Sequence, residues 1–367
     1  MKCYVIDTAA LANNIEVIRR RAGGARIYAV LKGDAYGTGI GEMSSFLVRS
    51  GIDSFAVTEP EEAEAIRRAG HESAEILLIR STCDTEELRR ALRAGAVCTA
   101  GSMASAQAIK AAADSLGVTA KVHIEIDTGM GRTGFLPDSI DEIKGVYAMG
   151  PGITVAGIYT HFHSAFCSDK DTMAQCERFK LVVKALREGG YDTGTVHAAN
   201  SSALFRCDYA NFDAVRVGSA LLGRLAFSSP DNCGLKRVGY IESGIDSIGW
   251  LKAGGTVGYA AGYRLKKAAR VAIVPVGYYH GFCANSEQDL FRFRDCVRGV
   301  ISNVKNMIFP KRIYVTVGSQ KARVLGHVGM MHTAVDVTHI DCSPESRVIM
   351  DANPIMVKGM PRRFIQA

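Results

Sequence analysis

No apolar run in this 367-residue chain is long enough to cross a bilayer. Even the uncharged stretch Gly145–Thr160 is broken by four glycines and Pro151. The first residues carry no signal-peptide pattern, because Asp7 interrupts them and polar side chains follow. Charge of one sign is also scarce. The formal excess is +7, from 44 Lys and Arg against 37 Asp and Glu. Basic groups such as Arg19-Arg20-Arg21 and Arg89-Arg90 lie in helix-like segments with acidic neighbours, which speaks against a nucleic-acid partner. The ten cysteines include no Cys-x-x-Cys pair and no cluster with histidine at metal-ligand spacing. Neither a disulfide framework nor a metal site is expected. What these absences leave is a soluble, cytoplasmic protein with reduced thiols and no membrane partner.

What is present is alternation. Short apolar runs at Ile27–Leu31, Phe55–Val57, Ile76–Ile79, Ala96–Cys98, Val122–Asp127, Val155–Tyr159, Thr195–His197 and Ala214–Val217 read as strands. Between them, Glu61–Ala69, Thr85–Ala94, Ser105–Leu116 and Asp171–Glu188 repeat apolar residues at helical spacing. Gly70, Gly95, Gly117 and Gly189 stand just past their ends. Eight strands alternating with helices predict an α/β protein whose residues 8–225 form a (β/α)8 barrel of the TIM type. A doubly wound open sheet is the other architecture with this pattern. From 226 to 367 the segments are short, β-branched and bounded by turns, which predicts a mostly β C-terminal domain. The strand-like residues 1–7 are expected to join it.

Barrels of this kind carry their chemistry at the carboxyl ends of the strands. Lys32, Glu125 with Arg132, His161, Asn200 with Ser201, and Arg216 with Gly218 and Ser219 all fall there. A lysine against low-dielectric walls can lose its proton and condense with an aldehyde. The loops after the last two strands, Asn200-Ser201-Ser202 and Arg216-Val217-Gly218-Ser219, offer hydroxyls and backbone N–H groups to a phosphate. An aldehyde and a phosphate on one ligand suggest pyridoxal 5'-phosphate. The run Gly129-Met130-Gly131-Arg132-Thr133-Gly134 satisfies G-x-G-x-x-G, yet it follows the fifth strand and Pro137 interrupts what comes next. A dinucleotide site is therefore not expected.

Ala29–Gly37, Asp127–Gly134, Thr160-His161-Phe162 and His197–Ser201 resemble, in order, motifs of the alanine racemases. So do Val215–Gly218, Val257-Gly258-Tyr259, Pro275–Tyr278 and Val324–Val328. The resemblance implies a pyridoxal-phosphate enzyme with a barrel and a β-domain, forming a homodimer whose active sites are completed across the interface. It would interconvert L- and D-alanine, a cell-wall precursor, or serine or a related amino acid, by a two-base mechanism. Lys32 resembles the lysine that holds the cofactor and serves as one base, and Tyr259 the base for the opposite face. Tyr36, Ser201, Gly218 and Ser219 resemble the phosphate-binding positions, and Asn200 beside them is expected to bind the cofactor as well. His161 resembles part of the network behind the ring. Arg132 resembles the residue facing the cofactor's phenolic oxygen and the substrate carboxylate, and Met330 the one whose backbone N–H meets that carboxylate. Arg216 resembles the residue against the pyridine nitrogen. Arginine does not give up its proton, so that nitrogen should stay unprotonated and the ring a weak electron sink, which suits racemisation.

Four departures leave the substrate open. Glu125 stands where a carbamylated lysine is common, His280 replaces an aspartate, and Met331 stands where an aspartate is usual. The tail Lys358–Phe364 lacks a phosphate-binding tyrosine. A decarboxylase of basic amino acids on the same scaffold, or a cofactor-binding protein without catalysis, are the alternatives. Along Val122–Asp127, strand alternation turns Glu125 into the barrel, where it needs a partner. Arg132 is the expected one, and breaking a buried pair of this kind should cost about 3–5 kcal/mol.

Overall fold

The computed structural model describes residues 2–284, 293–309 and 312–366. Two compact units emerge: Thr8–Val238, and Met1–Asp7 with Gly239–Ile365. Strand β1 (Cys3–Asp7) opens the chain and leads into α1 (Thr8–Ala22).

The larger unit is a parallel barrel. Its strands are β2 (Arg26–Val30), β3 (Ser54–Val57), β4 (Glu75–Leu78), β5 (Cys98–Ala100), β6 (Ala120–Ile126), β7 (Ile153–Thr160), β8 (Thr195–His197) and β9 (Ala214–Val217). They pair in the order β4-β3-β2-β9-β8-β7-β6-β5. The last strand lies beside the first, Ala214 opposite Arg26. A bridge between Leu77 and Val97 joins β4 to the segment entering β5 and closes the ring. That closure excludes the open doubly wound sheet. Each expected strand is present within two residues of its expected ends. The shifts arise because ladder hydrogen bonds, rather than hydropathy, set where a strand stops.

Helices α2 (Ile40–Arg49), α3 (Pro60–Arg68), α4 (Thr85–Arg93), α5 (Met103–Leu116), α6 (Ile140–Tyr147), α7 (Asp169–Glu188) and α8 (Ser201–Arg206) return the chain between strands. Local chemistry marks their ends. Asp84 accepts from the Glu87 N–H at 2.9 Å to cap α4, and Ser168 caps α7 through the Asp171 N–H at 3.2 Å. The α5 helix ends on left-handed Gly117. The unit continues through residues 226–238, which the sequence pattern assigns to the β domain. Buried Asn14 on α1 holds that irregular segment, donating to Leu221 O and Lys236 O at 2.9 and 2.7 Å and accepting from Lys236 N at 2.7 Å.

The second unit is built on a sheet that contains β1. Its other strands are β10 (Gly239–Ser243), β11 (Ser247–Leu251), β14 (Ala269–Val274), β15 (Tyr314–Val317), β16 (Gln320–Val324), β17 (Thr333–Asp336), β18 (Val348–Met350) and β19 (Arg362–Ile365). They are ordered β11-β14-β17-β16-β15-β18-β10-β1-β19. A separate pair, β12 (Thr256–Val257) and β13 (Tyr263–Arg264), flanks the turn that carries Tyr259. Strand β1 pairs antiparallel with β10 and parallel with β19, so the N-terminal strand does enter this sheet. One helix, α9 (Phe293–Ile308), was not expected. Among the described residues no helix is long and apolar enough to cross a membrane, and no group of three or more His, Cys, Asp or Glu could hold a metal ion.

Candidate active site

Lys32 stands two residues past the end of β2, and the next four residues wind the wrong way. Gly33, Asp34, Ala35 and Tyr36 have φ of 63, 55, 54 and 56°. For the three that carry a Cβ, this conformation costs roughly 1–2 kcal/mol each. The turn persists because its surroundings hold it. The Ala35 N–H donates to Leu31 O at 2.7 Å, the Gly39 N–H to Asp34 O at 3.0 Å, and Asp34 Oδ1 accepts from Ile40 N at 2.9 Å. Lys32 then lines a cavity of about 360 Å³ together with Thr58, Arg132, Tyr159, His161 and Arg216. Burial of the amine, reinforced by the Arg132 charge and opposed by Glu62, holds its pKa below the ordinary lysine value. That favours the neutral amine a carbonyl addition or a proton abstraction needs.

Arg216 enters the same cavity from β9, 3% exposed. One guanidinium nitrogen donates to Thr160 O at 2.7 Å and Ala198 O at 3.3 Å, and lies 3.5 Å from His161 Nδ1. The other donates to His197 Nδ1. The group sits 4.8 Å from the centre of the Tyr159 ring. Burial pushes it down to about 10, so it remains a cation at neutral pH. The hydrogen bonds fix tautomers in turn. Because His197 accepts on Nδ1, its proton is on Nε2 and faces His123 Nδ1 at 2.8 Å. Burial, then the Arg216 charge, pushes His123 and His161 down to about 3, and His197 well below its usual value. The three rings are neutral and orient the guanidinium without titrating near pH 7.

Three of the expected phosphate ligands come together. Ser201 Oγ accepts from the Gly218 and Ala220 N–H groups at 3.1 and 3.3 Å, which ties the loop after β8 to the loop after β9. Its own proton is left to donate outward. A Cβ on Gly218 would lie 2.4 Å from the Tyr36 hydroxyl, so only glycine lets that phenol approach. Burial raises the Tyr36 hydroxyl to about 12, which keeps it a donor. Ser219 is half-buried beside Gly218, its carbonyl taken by Leu222 and Arg224. Asn200 differs from its neighbours. Its Oδ1 accepts from Ser202 N and Ala203 N, both at 3.0 Å, and its Nδ2 donates to Phe162 O at 3.3 Å. That amide is occupied as the N-cap of α8.

Glu125 points into the barrel, 2% exposed, as strand alternation requires. Its nearest partner is Thr133, whose Oγ1 donates to Oε2 at 2.7 Å. Arg132 stands 3.7 Å from Oε1 with 53% of its side chain exposed. The buried ion pair inferred from sequence is therefore a half-solvated one, because the turn delivers Thr133 to the carboxylate first. Burial raises the Glu125 carboxyl above its ordinary value, against the pull of Thr133 and Arg132. The glycine motif is the frame of this turn. Asp127 accepts from Gly129 N and Gly131 N, both at 2.9 Å, and Gly134 (φ 123°) closes the loop where a Cβ would meet Asp127 N at 2.6 Å. Behind it lies Gln175 of α7, fully buried and not anticipated. Its amide donates to Thr128 Oγ1 at 3.1 Å and His161 O at 3.3 Å and accepts from His163 N at 3.1 Å, binding the Arg132 turn to the His161 strand end.

Tyr259 and Met330 belong to the other unit. Tyr259 is 82% exposed, not a core residue of the β unit, and Met330 is 51% exposed with its carbonyl accepting from Tyr279 N at 3.1 Å. Met331 is exposed as well. His280 is buried, and its Nδ1 accepts from Gly277 N at 3.1 Å to close a tight turn. The divergent tail is spent on β19.

Two family models cover nearly the whole chain: the N-terminal domain of alanine racemase over residues 6–225, and its C-terminal domain over 238–358. An alanine racemase of Desulforamulus reducens is 31% identical over 341 residues, 91% of this chain and 85% of that protein. One from Methylacidiphilum infernorum is 34% identical over 304 residues, 81% of this chain and 76% of its own. The solved structure of alanine racemase from Clostridium difficile 630 has a TM-score of 0.84 at 25% identity, covering 99% of this chain and 95% of that one.

Proposed function

The chain belongs to the alanine racemase family and is an amino-acid racemase, and from that premise we propose that its barrel mouth takes pyridoxal 5'-phosphate and that alanine is its substrate. The residues fit that group. Tyr36 and Ser201 each keep a hydroxyl proton to donate, as a phosphate requires, and Gly218, whose own N–H is held by Ser201 Oγ, leaves room beside the phenol. Lys32 brings an amine of lowered pKa to the cavity that it lines with Arg132, His161 and Arg216. Arg216, which carries this reading, is a locked cation able to donate to an unprotonated ring nitrogen and unable to protonate it.

When bound, the cofactor supplies a conjugated ring that takes up the electron pair left by the departing α-proton. The chain does the rest. Lys32 holds the cofactor aldehyde and moves the proton at Nζ on one face, and the Tyr259 phenol does so on the other. Arg132, steadied by Glu125, faces the substrate carboxylate with the Met330 N–H. Gly218 and Ser219, with Tyr36 and Ser201, hold the phosphate, and Asn200 shapes their loop instead of binding. A phenol 82% exposed on its own chain supports a homodimer in which Tyr259 serves the partner's site. The ten free thiols suit the cytoplasm. Racemisation rates across a panel of L-amino acids test the substrate. Alanine should be fastest, and a faster turnover of serine or a longer side chain overturns that assignment.

A further inference from the structure

Glu62 is the third residue of α3, and half of what its carboxylate does is ordinary. Oε2 accepts from Thr58 N at 2.9 Å, Thr58 Oγ1 at 3.4 Å and Glu59 N at 3.1 Å, the work of a helix capping box. Oε1 leaves the helix. It accepts from Gly33 N at 2.5 Å and Asp34 N at 3.3 Å, the two amides that open the left-handed turn after Lys32. A glutamate that only caps its helix has no need of these partners. Of the charged groups around the Lys32 amine, Arg132 opposes its protonation and Glu62 favours it; the Arg80 and Arg216 cations, the Tyr159 phenol and neutral His161 line the same cavity.

We propose that Glu62 is a positioning residue for Lys32: its carboxylate clamps the strained turn that aims the lysine and sets a negative charge against the amine. The proposal rests on the assignment of Lys32 as the cofactor lysine. Glutamine cannot replace it. With one acceptor oxygen and an NH2 group, a glutamine side chain at this position would face N–H donors with a donor, and one of the two loops would lose its partner.

The test is Glu62→Gln in the full-length holoenzyme, read by hydrogen exchange and by pH titration of the visible band of the Lys32-bound cofactor. Amide exchange at Gly33 and Asp34 should quicken about tenfold or more, the loss expected when a charged acceptor goes. The titration midpoint should move to lower pH, because a charge that favours the protonated nitrogen has gone. Turnover should fall while KM stays within about threefold, since Glu62 does not touch the substrate carboxylate. Glu62→Asp, which keeps the charge and shortens the reach, should free the same amides yet leave the midpoint nearer wild type, and it serves if Glu62→Gln does not fold. Protection lost only at Thr58 and Glu59, or an unmoved midpoint, overturns the proposal. Borohydride fixation of cofactor on wild-type Lys32 is scored separately: its failure removes the lysine assignment itself, whatever Glu62 does.

Discussion

Replacing Glu125 with glutamine should separate activity from stability. Folding holds the Glu125 carboxyl above its unfolded pKa, with burial the largest cause. The folded state therefore prefers the protonated form, and the ionised one costs stability increasingly as pH rises from the unfolded pKa through the folded one. Glutamine removes that cost. Two losses oppose the gain. Thr133 now donates to a neutral acceptor instead of a charged one, a loss of about 1 kcal/mol. The pair with Arg132, at 3.7 Å and with that side chain 53% exposed, is worth about 0.2–1 kcal/mol. The two losses together come to at most about 2 kcal/mol and the gain offsets part of them, against the 3–5 expected of a fully buried pair, so Tm should fall by no more than roughly 4–8 °C. The guanidinium loses its anchor, however, and kcat/KM for alanine should fall about tenfold or more. Bicarbonate should not restore it. Thermal melts at pH 5 and pH 8, beside steady-state racemisation, make the measurement. The variant should gain on the wild type between pH 5 and pH 8. A loss above about 3 kcal/mol, a gap that moves the other way, or unchanged turnover would each refute the reasoning.

Lys32→Ala should abolish the borohydride-fixable link to the cofactor, and retention of such a link would remove Lys32 from its role. Gly218→Ala places a Cβ 2.4 Å from the Tyr36 hydroxyl. Forcing the phenol aside should cost about 1–3 kcal/mol of cofactor affinity, a ten- to hundredfold rise in Kd by fluorescence titration; unchanged affinity would mean the phenol is no part of the phosphate site. Arg216→Lys keeps the charge and loses the planar fork to Thr160 O and Ala198 O. It should lower turnover while leaving the phosphate contacts, and hence cofactor Kd, within about threefold.

The barrel was legible because buried parallel strands and amphipathic helices leave clear periods, and the position of Lys32 followed from where β2 had to end. The turn after it was not legible. Gly33-Asp34-Ala35-Tyr36 has no local preference for three consecutive left-handed residues with side chains, and its handedness comes from tertiary partners such as Glu62. Asn200, expected among the cofactor-binding residues, also carries an N-cap signal in its placement before Ser-Ser-Ala, and its side chain caps α8. His123 and His197 gave no signal, since nothing in sequence says that β6 and β8 bring their rings together behind Arg216. Phe293, Val297, Val300 and Val304 repeat at helical spacing, but the short segments around them gave the β reading of that region.

The most direct test of the two-base assignment is single-turnover α-proton exchange by Tyr259→Phe in deuterated water, started separately from L- and D-alanine. Lys32 remains on one face and the phenol is gone from the other. Deuterium should still enter at Cα from one enantiomer and be largely lost from its mirror image. Equal loss from both would contradict the account.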